Sequence, residues 1–167
     1  MRIKDALVSC GNPESIVNPE YLSHGTLECR NLKQSRRFYE EFLGFECVRH
    51  AKPSMAIRCG MRFHIVCLEV GELLHPVSLD NHWGIDVGSV AEVERVWQAA
   101  HRLKDEYRIG KITDLVKQHG VFSFYLEDLD QNWWEIQYYD GVQHDDMFDF
   151  GDRFGESDLH GETREAA

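Results

Sequence analysis

The sequence predicts an α+β fold made of two βαβββ modules in tandem, and three observations carry that prediction. They are an internal repeat, a switch of hydrophobic period inside each copy, and capping residues at the point of the switch. Placing His24 on His82 aligns HGTLECRNLKQSRRFYEEF with HWGIDVGSVAEVERVWQAA without a gap. Leu27 then meets Ile85, Cys29 meets Val87, Phe38 meets Val96 and Tyr39 meets Trp97, so apolar positions fall on apolar positions. Each copy begins with alternating residues, the period of a strand, and changes to the spacing of an amphipathic helix.

Each element has its own local reason. In the first strand Ser23, Gly25, Leu27 and Cys29 share one face and Leu22, His24 and Thr26 the other. A helix follows, because Asn31 stands three residues before Gln34, the arrangement in which a capping side chain satisfies a free backbone N–H. Gly44 can close that helix in the left-handed conformation. Strands are then expected over 46–50, 55–59 and 63–70. The second copy repeats the plan: Trp83, Ile85 and Val87 oppose His82, Gly84 and Asp86, and Ser89 with Glu92 starts the helix. Three further strands are expected over 111–116, 121–127 and 133–139. On the last two, Phe122, Phe124, Leu126, Trp134, Ile136 and Tyr138 form packing faces, opposed by Val121, Ser123, Tyr125, Glu135 and Gln137.

The organisation follows: an N-terminal extension over 1–20, one domain over 21–140 with modules at 21–75 and 80–140, and a tail over 141–167 rich in Asp, Glu and Gly. Such a tail is expected to be solvated and mobile. At 167 residues the chain has room for one well-buried core. Its 29 acidic and 18 basic residues give a net charge of −11, which repels nucleic acid and anionic lipid and favours a small organic molecule as partner. No apolar run reaches the roughly 18 residues of a membrane span, and the start of the chain has no signal-peptide pattern. The five cysteines lack any CxxC spacing, so reduced thiols in a cytoplasmic protein are the expectation.

If the sheets curl, the polar faces line a cup, and His24, His82 and Glu135 fall on those faces. Two imidazoles and one carboxylate suit a divalent metal, above all non-haem Fe(II), and leave positions open. The one carboxylate leaves the site a net charge of about +1, which attracts an anionic chelating ligand. Two histidines at equivalent first-strand positions of a repeat are a stronger signal than any lone histidine. Glu135, flanked by Trp133, Trp134 and Ile136, is costly to bury unless paired or metal-bound. Trp133 can shape a pocket beside Glu135, and His119, on the same strand parity as Tyr125, is placed to touch a bound substrate.

At these residues the chain resembles the vicinal-oxygen-chelate superfamily, which includes glyoxalase I, fosfomycin-resistance proteins, bleomycin-binding proteins and type I extradiol dioxygenases. The resemblance implies paired βαβββ modules forming a curved mixed sheet around a metal-binding cup, with His24, His82 and Glu135 as ligands. SFYLEDLDQNWWEIQYY looks most like the extradiol signature, in which a Tyr precedes the ligand Glu by ten residues, as Tyr125 precedes Glu135. Aligning MRFHIV with NWWEIQ sets His64 where that family places its acid/base His, whereas a glyoxalase-type enzyme would want Glu or Gln there. The resemblance thus implies a single-domain dioxygenase that opens a catechol ring with Fe(II) and O2. In it His64 takes and returns a proton, and Tyr125 donates a hydrogen bond to a substrate oxygen. An isomerase or thiol transferase using Mn, Zn or Ni, and a ligand-sequestering protein, stay open as alternatives. Paired modules of this kind often associate further, so a homo-oligomer is expected beside the small-molecule partners.

Overall fold

The computed structural model describes residues 14–17, 19, 22–60, 63–118 and 120–139; the acidic tail and His119 lie outside these. Two four-stranded sheets form. The first is built from β1 (His24–Cys29), β2 (Glu46–Ala51), β3 (Ser54–Arg58) and β4 (His64–Glu69), in the order β1-β4-β3-β2. The second is built from β5 (His82–Asp86), β6 (Val116–Gln118), β7 (Val121–Glu127) and β8 (Trp133–Tyr139), in the order β5-β8-β7-β6. In both, the first strand runs parallel to the last and the others pair antiparallel. The repeat read from the sequence is therefore a repeat of topology, with the helix as the crossover that a parallel pair requires.

The helices begin where their caps stand. Asn31 accepts the Gln34 N–H at 3.1 Å at the head of α1 (Leu32–Arg37), and Ser89 accepts the Glu92 N–H at 3.2 Å at the head of α2 (Val90–Arg102). Helix α1 runs on into one wide π turn, Phe38–Phe42, closed by the Leu43 N–H on the Phe38 carbonyl and by Gly44 at φ +74. A short α3 (Lys104–Tyr107) ends at Arg108, which is left-handed at φ 53. Among the described residues no helix is long and apolar enough to cross a membrane.

One strand differs from expectation. Residues 111–116 do not form it; β6 is the three residues Val116–Gln118, preceded by a lone bridge between Ile112 and Leu126. The cause is Thr113. Its Oγ1, not a backbone carbonyl, accepts the Tyr125 N–H at 2.9 Å, so the ladder along β7 is interrupted at Thr113 and becomes regular only from Val116.

The apolar faces of both sheets feed one core. Leu27, Cys29, Ile57 and Cys67 come from the first sheet, Phe124, Leu126, Trp134 and Ile136 from the second, and Phe38, Tyr39, Val93 and Ala100 from the helical segments between. Trp134 takes the Tyr39 ring at 5.7 Å and the Phe45 ring at 5.5 Å, both edge-on, so the first module's crossover packs on the second module's sheet. At ~25 cal/mol per Å2, burying rings of this size contributes roughly 4 to 6 kcal/mol each before entropy is subtracted.

The segment between β7 and β8 ties this junction. Asp128 and Asp130 are almost wholly buried at 1% and 2% exposure. Asp128 accepts from the Tyr39 hydroxyl at 3.1 Å, from Trp134 Nε1 at 3.0 Å and from the backbone N–H groups of Asp130 and Asn132. Asp130 accepts from the Arg30 N–H at 2.8 Å and from Ser35 Oγ. Buried carboxylates are costly unless hydrogen-bonded, and these are bonded across the two modules.

Candidate metal centre

Each candidate sits where a strand begins or where its parity turns it away from the core. His24 opens β1 and His64 opens β4, and parallel pairing sets them side by side. Their rings stack at 5.6 Å with 19° between planes. Ser23 Oγ lies 2.8 Å from His24 Nδ1, which leaves Nε2 as the ring's outward nitrogen. A bond of this kind at one ring nitrogen orients an imidazole so that the other can meet a metal.

The second group is tighter. His82 opens β5, and its Nδ1 lies 2.8 Å from the Leu79 carbonyl. A carbonyl can only accept, so Nδ1 carries the proton and a neutral His82 ring presents a bare lone pair at Nε2. That lone pair faces Glu135 Oε2 at 3.4 Å. Two electron-pair donors aimed at one another need a cation between them, either a proton or a metal ion. The separation is compatible with either; two ligand bonds of about 2.0 to 2.2 Å to one ion at ordinary angles would set the donor atoms roughly 3.0 to 3.5 Å apart.

Glu135 is 8% exposed, and Tyr125 is its direct neighbour across the β7–β8 ladder. Burial first, and then the hydrogen bond to the Glu135 carboxylate, raise the Tyr125 phenol above its ordinary pKa. The Tyr125 ring also stands edge-on to His82 with 4.9 Å between centroids. Tyr125, His82 and Glu135 thus form one contiguous polar group on the second sheet. Trp133, buried beside them, lines a cavity of about 270 Å3 with Thr26, Glu28, His75 and Asn81.

The candidates gather as two groups: His24 with His64 on the first sheet, and His82, Glu135 and Tyr125 on the second. Among the described residues no three His, Cys, Asp or Glu side chains stand together in metal-holding geometry. The pairing register explains part of the asymmetry. His24 lies beside His64, but Gly84, not His82, lies beside Glu135, so the two modules are offset by two residues. Because a strand repeats its faces every two residues, the offset leaves all four side chains on the polar faces.

Sequence reasoning missed three contributors. Gln118 donates from Nε2 to the Tyr125 hydroxyl at 3.4 Å, Ser23 holds His24, and the Leu79 backbone holds His82. Ser23 could have been found from its adjacency to His24; a backbone carbonyl leaves no signature in a sequence. Ser123, on the same face as Tyr125, is buried with no hydrogen-bond partner for its hydroxyl among the described residues.

A fold of paired βαβββ modules with two imidazoles and a carboxylate on its polar strand faces defines a class, and the family comparison agrees with it. The chain belongs to the Glyoxalase/Bleomycin resistance protein/Dioxygenase superfamily, whose profile matches residues 21–136. Members of this superfamily bind divalent metals and include enzymes.

Among solved structures, a glyoxalase/bleomycin resistance protein/dioxygenase from Alicyclobacillus acidocaldarius is similar at 20% identity and TM-score 0.55, covering 81% of this chain and 100% of that one. The fosfomycin resistance protein FosX from Listeria monocytogenes is similar at 20% identity and TM-score 0.58, over 76% and 98%. Lactoylglutathione lyase from Agrobacterium tumefaciens matches at 17% identity and TM-score 0.54, over 72% and 94%. At these identities the likeness is one of fold. No curated protein matches the chain.

Proposed function

We propose that the chain is an extradiol ring-cleaving dioxygenase acting on a catechol with Fe(II) and O2. The observation that carries the reading is the opposed pair His82 Nε2 and Glu135 Oε2, with Tyr125 opposite Glu135 on the neighbouring strand. His24, His82 and Glu135 would hold the metal. When bound, Fe(II) supplies open positions where a catechol's two oxygens and O2 can be brought together. The ring C–C bond beside the diol breaks, and both atoms of O2 enter the product.

The chain's own residues would do the rest. His64, alongside His24, takes a proton from a catechol hydroxyl and returns it as the ring opens. Tyr125 stays protonated through the neutral range, because its pKa is raised, and can therefore donate to a substrate oxygen. Trp133 offers an aromatic wall for a planar ring, and His119 is the candidate for a further substrate contact. Substrate and O2 are the small-molecule partners in this reading, and the cytoplasm is the compartment proposed.

FosX and the lactoylglutathione lyase among the fold neighbours favour a second reading, an isomerase or transferase using Mn, Zn or Ni. Oxygen uptake separates the two. The protein is loaded anaerobically with Fe(II), offered substituted catechols, and followed by oxygen electrode and visible absorbance. Stoichiometric uptake with a yellow ring-opened product, lost in His24→Ala and Glu135→Ala, is expected. Metal binding without uptake would remove the dioxygenase reading and leave the isomerase or transferase chemistry.

A further inference from the structure

Where α1 and its π turn from the first module meet α3 and the β7–β8 connection of the second, the surface holds a cavity of about 270 Å3. None of its lining residues belongs to the candidate metal centre. We propose that it binds a monoanionic aromatic carboxylate of single-ring size, with Arg108 and Gln34 holding the carboxylate and Phe38, Tyr107 and Leu129 lining the ring. The proposal stands apart from the metal reading.

Local geometry assembles the cavity. Gln34, Arg37 and Phe38 follow one another at helical spacing, so one face of the α1 segment presents all three. Across from them α3 ends in Tyr107 and Arg108. Phe38 meets the Tyr107 ring edge-on at 6.4 Å, and Arg37 lies over that ring at 4.9 Å. The usual range for drug-sized ligands is about 300 to 1,000 Å3, so a cavity just below it suits one ring with a short polar group.

Charge selects the polar group. Arg37 donates to Glu41 and to Glu106, so its charge is met. Arg108 donates instead to the side-chain oxygen of Gln34, a neutral acceptor. Asp130, whose charge Arg108 also feels, is 2% exposed, is bonded to the Arg30 N–H and Ser35, and does not line the cavity. A guanidinium has five N–H donors, so Arg108 keeps a fork for one carboxylate, and Gln34 keeps its amide NH2 as a further donor. A second negative charge would face Glu106.

The backbone points to the same residue. Arg108 closes α3 in the left-handed conformation, at φ 53, where glycine is the usual choice. A long cationic side chain held at such a position is a mark of use, because strained backbone gathers at binding sites.

Isothermal titration of the full chain with benzoate tests this. Saturable binding of one benzoate per chain is expected. Acetate, which lacks the ring, and benzyl alcohol, which lacks the charge, should each bind roughly 10-fold more weakly or worse. Arg108→Gly suits the left-handed backbone and removes the guanidinium, and Arg108→Gln removes the charge at closer size. Each should melt cooperatively and lose roughly 10- to 100-fold in benzoate affinity. Glu135→Ala should bind benzoate as the wild type does. No saturable binding overturns the proposal, as does unchanged affinity in either folded Arg108 variant. Loss in Glu135→Ala with the Arg108 variants unaffected places benzoate at the candidate metal centre and overturns it as well. Acetate binding as tightly as benzoate overturns the aromatic assignment.

Discussion

The hydroxyl of Tyr125 and the carboxylate of Glu135 meet because antiparallel pairing puts the two residues opposite each other, and parity turns both from the core. Burial and the neighbouring carboxylate both favour the neutral phenol, so ionisation is delayed to above the ordinary tyrosine range. Tyr125→Phe keeps the ring and its contact with His82 and removes only the donor. If that donor serves a charged oxygen, its loss is worth about 1.5 to 3 kcal/mol, or roughly 10- to 150-fold in kcat, with metal content unchanged. Steady-state rates beside metal analysis check this; an equal loss of bound metal would show that Tyr125 holds the centre together instead. At this scale the sequence showed which side chains face the polar side, because parity is a local property. It did not show the partner of the His82 imidazole, since that depends on where the 74–81 connection passes.

Among elements, β1 and β5 approach so closely that Gly25 is needed. A methyl group at this position would collide with the ring edge of Trp83, which also packs against Phe63 at 6.0 Å. Overpacking of this kind costs about 1 to 3 kcal/mol. Gly25→Ala should accordingly lower the melting temperature, and Trp83→Phe in the same chain should recover part of the loss; equal melting of Gly25→Ala and wild type would mean the ring swings aside freely. The caps at Asn31 and Ser89 and the two helices were legible because each is set by residues three positions apart. The strand expected over 111–116 was not, because the displaced bond depends on Thr113 meeting Tyr125, twelve residues further on.

At the scale of the whole molecule, a buried acid joins the modules. Burial raises Asp128 to about 6, above the usual 3.8, against the hydrogen bonds from Trp134 and the backbone that pull it down. The native state then binds the proton more tightly than the unfolded chain, so this group's contribution is fully present below pH 4 and fades as pH rises through 6. The span corresponds to about 3 kcal/mol. Urea unfolding of wild type and Asp128→Asn between pH 4 and 7.5 checks the sign: the wild type should gain on the variant as pH falls. A difference that is flat or reversed would show that the hydrogen bonds hold Asp128 ionised throughout. Tyr39 and Trp134 bond the same oxygen, so this pH response belongs to the junction of the modules and to neither module alone.

The identical strand order of the two sheets has a consequence for the history and handling of the chain. Among the described residues no strand ladder crosses from one sheet to the other; what joins them is side-chain packing, the Asp128 and Asp130 bonds and further bonds such as Asn132 to the Glu28 carbonyl and Arg37 to Glu106. A backbone cut within 74–81 therefore severs no ladder and divides the polypeptide into two pieces of one architecture. Expressed together, the pieces should reassemble by the same contacts, as two products of a duplicated ancestral gene would have done before fusion.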